Sequence, residues 1–112
     1  MSVGAFTIHF VRWASRVART ASAAEKSVLF VLAQYADEHG ASSPGIAQIA
    51  EEANVSPRSA KRATAGLVDR GLILKERIGN RGNRYRLAVS AEQAQAQVAL
   101  VDRLTGQEGG AR

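Results

Sequence analysis

Two Ser-Pro steps, Ser43-Pro44 and Ser56-Pro57, stand thirteen residues apart. Each is a helix-start signal: the serine hydroxyl caps a free backbone N–H, and proline at the first helical position lacks only an N–H that would have had no partner. The spacing predicts a helix of about ten residues after Pro44. Ile46, Ile49, Ala50 and Ala53 share one face of it, and Glu51 and Glu52 point to water near its end. Asn54-Val55 breaks the pattern, and the next helix spans 57–70 and stops at Gly71. Ala50, Ala53, Ala60 and Ala63 let the two helices cross closely, with Val55 plugging the turn from below. Two short helices separated by a turn of about three or four residues, the second of them basic, form a helix-turn-helix arrangement, with an ordinary helical hairpin as the alternative.

The flanks supply what such a pair packs against. Ser22 and Glu25 form a capping box, each side chain accepting an otherwise orphaned N–H, so a helix starts there. Val28, Leu29, Leu32, Tyr35 and Ala36 make a wide apolar stripe along it, and His39-Gly40 reads as its C-terminal stop. Beyond Gly71 the period changes from helical to alternating. Leu72–Ile78 reads as a strand, Gly79–Asn83 as a turn and Arg84–Val89 as the returning strand. Ser90 with Gln93 is a second capping box and predicts a helix to Thr105, with Ala94, Val98, Val101 and Leu100 or Leu104 along one side. Packing on its own domain and pairing with a second copy both fit that stripe. Near the start, Phe6, Phe10, Trp13, Ala14 and Val17 fall at helical spacing, with Arg12, Arg16 and Arg19 toward another face. Trp13 reads as a packing aromatic rather than a base-stacking platform.

A chain of 112 residues with 46% apolar content forms one small domain, and the absence of cysteine excludes disulfide scaffolds, thiolate zinc sites and cysteine catalysis. The uncharged stretch Ser27–Ala36 is far shorter than a membrane span, and no signal-peptide order is visible, so the expected location is the cytoplasm. The net charge is +5, but residues 56–86 hold nine basic and two acidic side chains, a local excess of +7. Charge concentrated in one ordered segment is the footprint of a nucleic-acid-binding face, with a solvated basic surface as the alternative.

The first short helix ends in Ala-Glu-Glu-Ala-Asn-Val-Ser and the second in Leu-Val-Asp-Arg-Gly-Leu-Ile, and the last strand carries Asn-Arg-Tyr-Arg-Leu; the Gly-Leu-Ile step and that strand are the most specific pieces. Over residues 21–89 the pattern resembles winged helix-turn-helix domains. It is similar both to replication-initiator N-terminal domains of phages and plasmids and to regulators of the MarR and GntR types. The expected fold is mainly α with a small β-hairpin (α+β). An N-terminal helix over 1–20, a C-terminal helix over 90–105 and a flexible tail over 106–112 lie outside the resemblance. Ala60 departs from it, standing where a larger β-branched residue is usual. The resemblance implies double-stranded DNA as ligand, with helix 57–70 in the major groove and the wing, residues 78–84, on flanking backbone or minor groove.

A helical wheel puts Ala60, Ala63, Thr64 and Leu67 inward and Arg58, Lys61, Arg62 and Ala65 outward. Arg58, Ser59 and Arg62, in the N-terminal half, are the candidates for base readout, the arginines favouring guanine. Ser56, at the positive end of the helix, suits a phosphate. Lys61, Arg81, Asn83 and Arg84 are assigned to the DNA backbone, and Arg77 and Arg86 are weaker members expected to share a face with Arg84, opposite Ile78, Tyr85 and Leu87.

Catalysis is not expected. His9 and His39 lie in different helices, Glu51 and Glu52 diverge around theirs, and no phosphate-cradling Gly-rich string or cofactor motif is present. Gly79-Asn80-Arg81-Gly82 matches the GxxG loop of KH domains, but both flanks alternate like strands rather than helices. The expected partners are DNA and a second copy in a homodimer, with no membrane and no cofactor. A transcriptional regulator is the leading reading. A replication or recombination accessory factor that recruits a protein through the N- or C-terminal helix is the alternative.

Overall fold

A computed structural model describes residues 7–17, 21–77 and 83–105, with only the backbone at 83 and 105. The elements in chain order are α1 (Thr7–Val17), α2 (Ala23–Tyr35), β1 (Ala41–Ser42), α3 (Ile46–Ala53), α4 (Pro57–Asp69), β2 (Ile73–Arg77), β3 (Asn83–Leu87) and α5 (Ala91–Thr105). The strands form an antiparallel sheet in the order β1-β3-β2. This is the expected α+β architecture, with β1 as an addition.

Helix α2 is the centre of the packing. Its capping box is formed: Ser22 Oγ accepts the Glu25 N–H at 3.1 Å, and Glu25 Oε1 accepts the Ser22 N–H at 2.9 Å. Val28, Leu29 and Leu32 are fully buried in one cluster with Phe10 and Trp13 of α1, Ile49 of α3, Leu67 of α4 and Leu87 of β3, which Ile73 of β2 joins beside α4. Each fully buried Leu or Ile contributes about 1.5–3 kcal/mol, so these contacts set the orientation of the surrounding helices.

Two helix boundaries differ from the sequence expectation, for a shared reason. Helix α2 ends at Tyr35, before His39-Gly40, because Asp37 Oδ1 accepts the N–H groups of His39 at 2.9 Å and Ala41 at 3.0 Å and turns the chain locally. Gly40 then takes φ 88 so close to β3 that a Cβ would stand 2.7 Å from the Val89 carbonyl oxygen. The chain enters β1, where Ala41 pairs with Arg86 and Ser42 with Tyr85. Helix α3 therefore begins at Ile46 with Gly45 as an N-cap that makes no side-chain bond, and Ser43-Pro44 does not start it. Strand pairing and the bond from buried Ser42 Oγ to Leu32 O, 2.9 Å, override the local Ser-Pro signal.

The end helices pack together. Phe10, Trp13 and Ala14 of α1 are buried between α2 and α5, Trp13 Nε1 donates to Gln97 Oε1 at 3.0 Å, and Arg16 meets Asp102 at 2.7 Å. Helix α5 turns Ala91, Ala94 and Val98 inward. Leu100 and Leu104 do not extend that stripe, remaining 50% and 77% exposed. Leu100 sits about 200° around the helix from Val98, on the opposite side.

Candidate nucleic-acid interface

Helix α4 starts as its sequence dictates. Asn54 closes α3 in the left-handed conformation, φ 60, and the Val55 N–H reaches back to Ala50 O at 3.0 Å, which tightens the turn to three residues, 54–56. Ser56 Oγ then accepts the Ser59 N–H at 3.0 Å, with Pro57 in the first turn. Ala60, Ala63, Thr64 and Leu67 are buried, as the wheel requires, and the Thr64 hydroxyl is satisfied by Lys61 O at 2.9 Å. Arg58, Lys61 and Arg62 are exposed. Half-buried Ser59 bonds its hydroxyl to Ser56 Oγ at 3.1 Å and, with Arg62, lines a cleft of about 220 Å3 against Ser22 and Glu25 of α2.

Helix α4 meets the Glu25 side chain of α2 at Gly66. A Cβ there would collide with the Glu25 carboxylate. That carboxylate also receives Arg70 Nε at 3.0 Å, so one side chain caps α2 and braces the far end of α4.

The hairpin register sorts the basic residues of the sheet into two sets. Ile73 pairs with Leu87, Lys75 with Tyr85 and Arg77 with Asn83, and Ile73, Tyr85 and Leu87 are buried. Lys75 and Arg77 therefore stand on the side of the sheet that packs on the helices. Lys75 and Lys61 line one cleft of about 210 Å3, together with Ile46, Thr64 and Tyr85. Arg84 and Arg86 occupy the opposite face with Leu74 and Glu76. Arg77 thus does not share a face with Arg84, contrary to the alternation expected from sequence, because the strands pair 77 with 83 and shift the parity.

Ion pairing divides the cations further. Glu76 receives Arg84 at 3.0 Å and Arg86 at 3.6 Å, and the Arg84 hydrogen bond holds its carboxyl below the usual carboxylate range. Among the described residues, Arg58, Lys61, Arg62, Lys75 and Arg77 have no acidic partner. Three lie on α4 and two on the inner face of β2. Lys75 was not among the expected site residues. The signal was present in the sequence, since buried Ile73 and Lys75 share strand parity. Arg81 lies outside the described residues, as do the tip 78–82 and its KH-like string, and of Asn83 only the backbone is described. The strands flanking that tip are in place. Among the described residues, no cluster of three or more His, Asp or Glu could hold a metal ion, and no helix is long and apolar enough to cross a membrane.

The profile of a helix-turn-helix domain family matches residues 22–73. A crystal structure of a "possible transcriptional regulatory protein (fragment 1-100)" from Mycobacterium bovis is similar in fold, with a TM-score of 0.54 and 24% identity over 85% of this chain and 92% of that one. No curated protein sequence matches the chain. The profile ends on the first residue of β2: residues 22–73 match a helix-turn-helix domain, and with the β2–β3 hairpin behind α4 the fold is that of a winged helix.

Proposed function

We propose that the protein is a sequence-specific double-stranded DNA-binding protein acting in transcriptional regulation, with α4 in the major groove and the β2–β3 wing on the flanking backbone. The observation that carries this reading is the set of five exposed cations without acidic partners, on α4 and on the face of β2 that turns toward it. Cations left unpaired by the chain are the ones free to replace the counterions of a phosphate backbone.

Arg58 and Arg62 project from the N-terminal half of α4 and read base edges, each as a bidentate donor to guanine O6 and N7. Ser59, bonded to Ser56, holds the helix start while Ser56 offers its helix end to a phosphate. Lys61 and Lys75 flank one cleft and clamp a phosphate between helix and sheet, with Arg77 and Arg81 extending the contact along the wing. Arg84 and Arg86, engaged by Glu76, brace the hairpin.

The test is selection from a random duplex pool at two salt concentrations. An enriched motif with affinity falling steeply as salt rises supports the reading. Absence of salt-sensitive binding overturns it. In the same assay Arg62→Ala costs about 1–3 kcal/mol on the enriched site and relaxes its preference, whereas Lys75→Ala weakens all duplexes alike and lowers the salt slope by about one.

A further inference from the structure

Among the described elements α5 packs on α1 alone; it makes no contact with α4 or the strands, and Ala91 N donates to Glu38 O in the loop after α2 at 2.9 Å. The side turned away from α1 carries Glu92, Ala96, Ala99, Leu100 and Arg103, all exposed. No charged residue lies between Glu92 and Asp102, an uncharged run unusual for a helix face left in water. Glu92 and Arg103 make no hydrogen bond or ion pair with the described residues, whereas neighbouring Asp102 is taken by Arg16.

Glu92, Ala96, Ala99 and Arg103 recur at i, i+4, i+7 and i+11, a straight seam along one face. The seam is self-complementary under a two-fold axis through its middle. Antiparallel to itself, α5 sets Glu92 against the copy's Arg103 and Arg103 against its Glu92. Ala96 meets Ala99 at the crossing, where small side chains let the axes approach to the short end of the about 8–10 Å range. Leu100 of each copy then covers the turn at Gln95–Ala96 of the other. A symmetric contact requires this reciprocity of one patch with itself.

We infer that α5 is a homodimer interface, formed by antiparallel pairing of its Glu92–Arg103 face with the same face of a second copy. The paired face is separate from α4, β2 and β3, which α5 does not touch among the described residues. One helix pair is a small interface, so the dimer is in exchange with monomer at micromolar chain concentrations.

Sedimentation equilibrium of the full chain, from about 1 to 200 µM, tests it. The wild type shows a monomer–dimer equilibrium. Glu92→Arg and Arg103→Glu each place like charges at both ends of the seam and weaken association by about tenfold or more. The double variant exchanges the charges and restores association to within about threefold of wild type. Reversal at helix ends also opposes the helix dipole, but that effect accumulates in the double variant instead of cancelling. Leu100→Asp leaves monomer only, with the far-UV circular dichroism of the wild type. A wild type that is monomeric throughout overturns the interface, as does a dimer indifferent to Leu100→Asp or a double variant no better than the singles.

Discussion

Gly66 of α4 has no side chain of its own where α2 packs on it, and the Glu25 carboxylate fills the space. An alanine there gains helix propensity of about 1 kcal/mol but expels Glu25 from its bonds to the Ser22 N–H and Arg70. The two effects offset, so Gly66→Ala stays within about 1 kcal/mol of wild type while the role of Glu25 disappears. Denaturant unfolding of a double-mutant cycle reads this. Glu25→Ala costs about 1 kcal/mol in the wild-type background and close to nothing in Gly66→Ala. Equal cost in both backgrounds refutes the coupling. The same single-residue view separates cations of equal charge. Arg84→Ala, which only frees Glu76, leaves DNA affinity within about twofold of wild type, while Lys61→Ala, which removes half of a proposed phosphate clamp, lowers it for every duplex. Electrophoretic mobility shifts at fixed salt distinguish the two.

At the scale of elements, the Glu76–Arg84–Arg86 cluster links the two strands of the wing across their outer face. The lowered pKa of Glu76 makes its contribution depend on pH with a definite sign. A carboxyl whose folded pKa lies below its unfolded value stabilises the fold above the ordinary carboxylate range, and this support is lost as pH falls through the lowered folded value. Thermal melts of wild type and Glu76→Gln therefore differ at neutral pH and converge in acid. A constant gap at all pH values would show that the charge is not what matters. How far such elements can be read in the sequence varies with how local their cause is. The capping boxes at Ser22 and Ser90, the cap at Ser56 and the buried face Ala60, Ala63, Thr64 and Leu67 rest on neighbours within one turn, and all are visible in the sequence. Strand β1 is two residues long, its only reason to exist is pairing with β3 more than forty residues away, and no local pattern announces it. Its formation also displaces the start of α3. The site was legible in part for the same reason: Arg58, Lys61 and Arg62 follow from one helix, whereas separating Lys75 and Arg77 from Arg84 and Arg86 requires the cross-strand register.

At the scale of the whole molecule the first and last described helices, α1 and α5, pack on each other, and both lie outside the segment matched by the helix-turn-helix profile. These helices could form a separable appendage or part of one cooperative unit, and the packing favours the second. Phe10 and Ala14 are fully buried against α2, the helix that also carries the contacts to α3 and α4, so the core is continuous from α1 to the wing. Trp13, the only tryptophan in the chain, sits in this junction with its indole N–H on Gln97 of α5. Its fluorescence therefore reports the docking of both end helices, while far-UV circular dichroism reports the helices of the whole chain. For one cooperative unit the two urea transitions share a midpoint. Gln97→Ala removes the indole's partner and costs about 0.5–1.5 kcal/mol, shifting both midpoints together rather than the fluorescence alone. A fluorescence transition well ahead of the dichroism would mean that α1 and α5 undock first, leaving the winged helix folded alone.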